Sequence, residues 1–170
     1  MILVTVGTEQ YPFNRLMSWI EVLLETGLIQ DEIVVQYGNS TILPAGAKVY
    51  RFLKEDKFQD LINQASIVIA HCGEGTLLLL DSLEKPYILV SRSQRYQEHV
   101  DDHQVELALA LSQINVPIAW SPGDLVRFIN EPRKVSLAEI SQASALAICE
   151  SLHNRFNQPL TTELSVGISR

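Results

Sequence analysis

Ser66-Ile67-Val68-Ile69-Ala70-His71-Cys72-Gly73-Glu74-Gly75-Thr76-Leu77-Leu78-Leu79-Leu80-Asp81-Ser82-Leu83 is the stretch on which the fold turns. Ser66–Ala70 is short, apolar and β-branched, the composition of a buried strand. His71–Gly75 is a glycine-bearing turn. Thr76–Leu83 reads as a helix that is apolar almost all round, and so is expected to be covered on most sides. A buried strand running through a tight turn into a helix is half of a βαβ unit.

The same alternation extends outward in both directions. Upstream, Ile2–Val6 reads as a first buried strand that ends at Gly7-Thr8. Phe13–Thr26 carries apolar residues at 13, 16, 17, 20, 23 and 24, the spacing of an amphipathic helix. Gly27 closes it where a left-handed residue is wanted. Glu32–Tyr37 and Lys48–Phe52 read as strands, and Asp56–Gln64 as a short helix. Downstream, Tyr87–Val90 is a strand, Ser91–His99 a polar loop, Val100–Leu111 a helix and Pro117–Trp120 a short last strand. Leu125–Asn130 and Leu137–Leu152 are helices. The pattern predicts an α/β fold: a Rossmann-like parallel sheet with helices on both faces. One domain is expected over 1–155, with a tail over 156–170 that is flexible or ordered by a partner.

Composition narrows the function. The 170 residues suit one domain, and 46% of them are hydrophobic, enough for one core. A net charge of −7 and a pI of about 5.0 argue against a nucleic-acid binder, which needs a basic stripe. They leave room for a small anion held by backbone amides. Cys72 and Cys149 are too few for a disulfide framework or a zinc site, and read as reduced thiols. The start Met1-Ile2-Leu3-Val4 has no basic region of a signal peptide, and no apolar run nears the ~20 residues of a membrane helix. A soluble, cytoplasmic chain is the expectation.

Ligands of such sheets bind at the carboxyl ends of the strands. Two loops fall there and open helices: Gly7-Thr8-Glu9-Gln10, and His71 to Thr76. Gly73 and Gly75 let backbone approach a ligand, Thr76 offers a hydroxyl, and the helix start adds free N–H groups and partial positive charge. These would cradle a diphosphate if the Glu74 side chain points away. The plainer reading is a tight turn that needs glycine for geometry alone. A third polar set is His99-Val100-Asp101-Asp102-His103-Gln104-Val105-Glu106. On a helix, His99, His103 and Glu106 fall on neighbouring turns. Asp101 and Asp102 suit a helix N-terminus, so capping alone would explain them. His103 and Gln104 carry hydrogen-bonding ends suited to sugar hydroxyls. No metal is expected, because adjacent helical residues do not converge on one ion. Nor do His71 and Cys72 form a pair, since a strand sends neighbours to opposite faces. Arg92 and Arg95 either reach phosphate or are solvated. Trp19 and Trp120 read as packing residues.

Val4-Thr5-Val6-Gly7-Thr8, His71-x-Gly73-x-Gly75-Thr76, Lys85-Pro86 and His99-x-x-x-His103-Gln104-x-Glu106-Leu107-Ala108 together resemble the C-terminal, donor-binding domain of glycosyltransferase family 28. MurG is the two-domain member of that family. The resemblance covers roughly residues 1–112 and is nearest to stand-alone, PssE-like subunits and to the small soluble subunit of the eukaryotic N-acetylglucosaminyltransferase.

It implies one half of a GT-B fold with a uridine diphosphate sugar as donor, and no cofactor. It also implies that Gly73, Gly75 and Thr76 hold the diphosphate, the backbone near Phe52 and Leu53 reads the uracil, His103 and Gln104 touch the donor sugar, and Gly7 and Thr8 face the cleft between two halves. His71, Glu74, Arg92, His99 and Glu106 complete the candidate donor site. The base and the lipid-linked acceptor would come from a membrane-associated, PssD-like acceptor-binding subunit that recruits this chain to the cytoplasmic face of a membrane. In isolation an exposed partner face would let the chain form a homodimer.

One departure stands out. Many members carry a glutamate three residues after the Ser/Thr of the loop, where it holds the ribose hydroxyls; here that position is Leu79. This keeps a second role open, a non-catalytic stimulatory subunit. An unrelated nucleotide enzyme on the same layered fold is a third reading, against which the first loop lacks a full G-x-G-x-x-G.

Overall fold

The computed structural model describes residues 1–83 and 85–135, all within one compact unit. The expected Leu137–Leu152 helix, the boundary at 155 and the tail lie outside the described residues. Five strands form one sheet: β1 (Ile2–Thr5), β2 (Ile33–Gln36), β3 (Lys48–Tyr50), β4 (Ile67–His71) and β5 (Tyr87–Val90). Their order is β3-β2-β1-β4-β5, and every pairing is parallel. The chain therefore builds outward from β1 to β3, then returns to the other side of β1 with β4. Ile2 sits opposite both Ile33 and Ile67, so β1 is the spine.

Strand alternation divides the core in two. Ile2, Val4 and Val6 point to the face covered by α1 (Asn14–Glu25) and α5 (Pro122–Asn130). Leu3, Val34 and Val68 point to the face covered by α2 (Glu55–Gln64), α3 (Glu74–Ser82) and α4 (His103–Gln113). Burial on both faces explains why these strands read as continuous apolar runs. α1 buries Leu16, Met17, Ile20 and Leu23 at helical spacing. It ends as a Schellman turn: Gly27 takes φ +68°, Leu28 N–H donates to Leu23 O and Gly27 N–H to Leu24 O. α5 opens with Ser121 as cap, its Oγ accepting from Asp124 N–H, and with Pro122 in the first turn.

Three expectations change. Leu78 is 64% exposed, so α3 buries only Leu77 and Leu80 and is not covered all round. Pro117–Trp120 makes a single parallel bridge, Leu89 with Ile118, rather than a strand. The helix expected from Val100 begins at His103, because residues 99–102 fold as a turn held by the Asp101 and Asp102 carboxylates.

Candidate functional site

A cleft of about 590 Å³ opens over the carboxyl ends of β1, β2 and β4, at the point where strand order reverses. The β1 loop contributes Gly7, Thr8 and Glu9; the loop after β3 contributes Phe52 and Leu53; α2 contributes Glu55 and Phe58. His71, Gly73 and the first turn of α3 (Glu74, Gly75, Thr76), with Leu79 one turn later, complete that side. Gln104 enters from α4.

His71 is 8% exposed and lies between two glycines. A Cβ on Gly7 would come 2.5 Å from its Cε1, and a Cβ on Gly73 2.5 Å from its Nε2. Gly7 also adopts φ +74°, a conformation that other residues rarely take. Both glycines are thus required by the imidazole. Burial, then the Arg92 charge, then His99 lower the His71 pKa to about 4, so the ring is neutral near pH 7. Its Nδ1 has no hydrogen-bond partner among the described residues.

Gly73 caps α3 in an extended conformation without a side-chain bond to the helix amides. The first-turn residues Glu74, Gly75 and Thr76, whose N–H groups a helix does not satisfy internally, line the cleft. At α4, by contrast, Asp101 Oδ1 accepts from His103 N–H at 3.1 Å. Glu74 is drawn toward α4, its Oε1 3.2 Å from His103 Nε2. Among the described residues no Lys or Arg lines the cleft, while Glu9, Glu55 and Glu74 do.

Two buried polar side chains tie the loops below the cleft together: Gln36, which the sequence reading passed over, and Arg92, which it placed at the ligand or in solvent. Gln36, 5% exposed, accepts from Thr5 Oγ1 at 2.7 Å and donates to Gly7 O at 2.9 Å and Arg51 O at 3.2 Å. It ties together the ends of three strands. Arg92 is fully buried, against both readings of it as phosphate-reaching or solvated. Its guanidinium donates to Val6 O at 2.6 Å, Tyr11 O at 3.0 Å and Glu98 O at 3.1 Å, and lies over the Phe13 ring. Those carbonyls have no other use for a cation, and together they hold it in place. Glu98, 2% exposed, pairs with Arg15 through both carboxylate oxygens. A charged loop in sequence is here a buried ion network, legible only through the fold.

Of the other candidates, His103 reaches the cleft edge through Glu74, and Gln104 is buried with Oε1 accepting from Arg92 N–H. His99 belongs to the turn before α4, bonded to Asp101 at 2.8 Å. Glu106 lies in the exposed first turn of α4 and does not line the cleft. A smaller hollow of about 320 Å³ near Asn115, Trp120 and Phe128 has neither the glycine turn nor a free helix start. Among the described residues no group of three or more metal-ligating side chains converges, and no helix is long and apolar enough to cross a membrane.

The model of the glycosyltransferase family 28 C-terminal domain matches residues 1–156. The chain belongs to this family. Among family 28 relatives, it is 31% identical over 121 residues to the UDP-N-acetylglucosamine transferase subunit ALG13 of Mus musculus, covering 64% of this chain and 10% of that protein. The subunit of the same name from Candida albicans is 25% identical over 100 residues, covering 59% of this chain and 31% of that protein. The chain thus spans less than a third of either relative. Among solved structures, the glycosyltransferase SnogD from Streptomyces nogalater aligns with a TM-score of 0.52 at 18% identity, over 89% of this chain and 39% of that one. That likeness concerns the fold. The family 28 domain described here is a Rossmann-like layer corresponding to one half of a GT-B architecture.

Proposed function

We propose that this chain is the donor-binding subunit of a two-component glycosyltransferase, holding a uridine diphosphate sugar for transfer to a lipid-linked acceptor in glycan or exopolysaccharide synthesis. The observation that carries the reading is the uncapped start of α3 opening into a switch-point cleft beside a neutral, buried His71. Amides fixed there would stabilise the charge that grows on the departing diphosphate without reorganising. Thr76 adds a hydroxyl to the same turn. The exposed Phe52, with Leu53 and Phe58, forms the apolar end suited to a base. By the family resemblance, the base that deprotonates the acceptor is assigned to a membrane-associated, acceptor-binding partner.

The names of the curated relatives, transferase subunits both, support a chain that works in company. A second reading, a stimulatory subunit without donor binding, is favoured by one observation: among the described residues, three glutamates and no Lys or Arg line the cleft. Calorimetry with uridine diphosphate separates the two. Donor binding predicts a measurable Kd that Thr76→Val weakens about tenfold, with no change in melting temperature. Absence of heat, alone and with a partner present, would leave only the stimulatory role.

A further inference from the structure

On α3 the acceptors that line the cleft, Glu74 and Thr76, sit in the first turn, at the phosphate end. Leu79 stands one turn beyond Thr76 on that side and presents only carbon to the cleft. A vicinal diol displays two O–H donors, and a carboxylate is the side chain that accepts both. We propose that Glu55, in the first turn of α2, binds the ribose hydroxyls of the donor nucleotide, an assignment that rests on the donor-site reading above.

Three observations favour Glu55 over the other acids of the cleft. It follows Phe52 by three residues, so it lies beside the apolar end suited to the base, while the α3 turn marks the phosphate end. A ribose joins those two ends. Its exposed side chain makes no hydrogen bond or ion pair with any described residue, so the carboxylate is available. Glu74, by contrast, stands at the phosphate end and is engaged by His103 at 3.2 Å. Glu9 sits on the β1 loop, which carries neither the apolar end nor the α3 turn, and its backbone carbonyl accepts from Asn39. The geometry moves the diol-reading group from one helix bordering the cleft to the other: carbon at Leu79, a free carboxylate at Glu55.

The test is calorimetry of the full chain with uridine diphosphate and its 2′,3′-dideoxy analogue, for the wild type, Glu55→Gln and Glu9→Gln. The wild type should prefer the diol-bearing nucleotide about tenfold or more, as expected for charge-assisted bonds. Glu55→Gln should bind both nucleotides alike, by losing affinity for the first and keeping that for the second. Glu9→Gln should keep the wild-type preference. Equal binding by the wild type, an intact preference in Glu55→Gln, or its loss in Glu9→Gln would each overturn the assignment while leaving the donor site standing. Failure of the wild type to bind either nucleotide would overturn the donor site itself, and this assignment with it. Because Glu55 is exposed and unpaired, its amide should melt with the wild type, and the comparison stays one of binding.

Discussion

His71 illustrates how a residue's chemistry is set by what is missing beside it. Two neighbours without side chains, Gly7 and Gly73, admit its ring to a site where any Cβ would collide with it. Burial there, with the Arg92 charge and then His99, makes protonation costly, so the folded pKa is about 4 against 6.5 unfolded. The unfolded chain therefore binds the proton more readily between those two values. Stability on this account is complete above pH 6.5 and falls as the pH drops toward 4, by about 3 kcal/mol in all. Urea unfolding between about pH 7 and about pH 4.5 should show this slope in the wild type and a shallower one in His71→Asn. Equal slopes would mean that the ring is not held neutral. The residue was legible in sequence as part of a motif; its neutrality was not, because it depends first on burial and then on Arg92, which reaches the site from the end of β5.

At the scale of the element, α3 carries the ligand chemistry at one end and core packing along one side. Its two glycines have separate duties. Gly73 meets the His71 ring, whereas a Cβ on Gly75 would meet nothing within 4 Å. Gly73→Ala should therefore lower both melting temperature and uridine diphosphate affinity. Gly75→Ala places a better helix former in the first turn and should leave the melting temperature unchanged or raised, since the change is worth up to about 1 kcal/mol in a helix interior. It should still weaken nucleotide binding about tenfold, by crowding the amides. Thermal melts paired with calorimetry check both; an unaffected Kd in Gly75→Ala would remove the diphosphate from that turn. α3 was expected to be more buried than it is, and α4 to begin three residues earlier. Leucine runs do not say which side meets the sheet, and Asp101 and Asp102 turn the chain at the very place where sequence spacing alone would continue a helix.

At the scale of the whole molecule, the charge of the cleft sets the expectation for activity. Among the described residues the cleft is lined by three glutamates and no Lys or Arg, so a diphosphate entering it would rely there on amides and the helix dipole. A second polypeptide that brings the acceptor would also close the cleft and exclude water, which strengthens those contacts. Co-expression with a membrane-associated acceptor-binding subunit, followed by assays over several uridine diphosphate sugars, should give transfer that the purified chain alone lacks. Rapid transfer by the chain alone would count against a two-component enzyme.

The architecture was within reach of the sequence because each strand is a short apolar run and α1 shows its face and its end, as at Leu16 to Gly27. These are local signals, carried by neighbours along the chain. The glycine turn at residues 73–76 was legible for the same reason. What only the tertiary structure decided is the use of polar side chains distant in sequence: Arg92 on Val6 and Tyr11, and Gln36 on Gly7. Spacing cannot foretell such partners, because a buried charge is tolerated wherever folding happens to gather enough carbonyls around it.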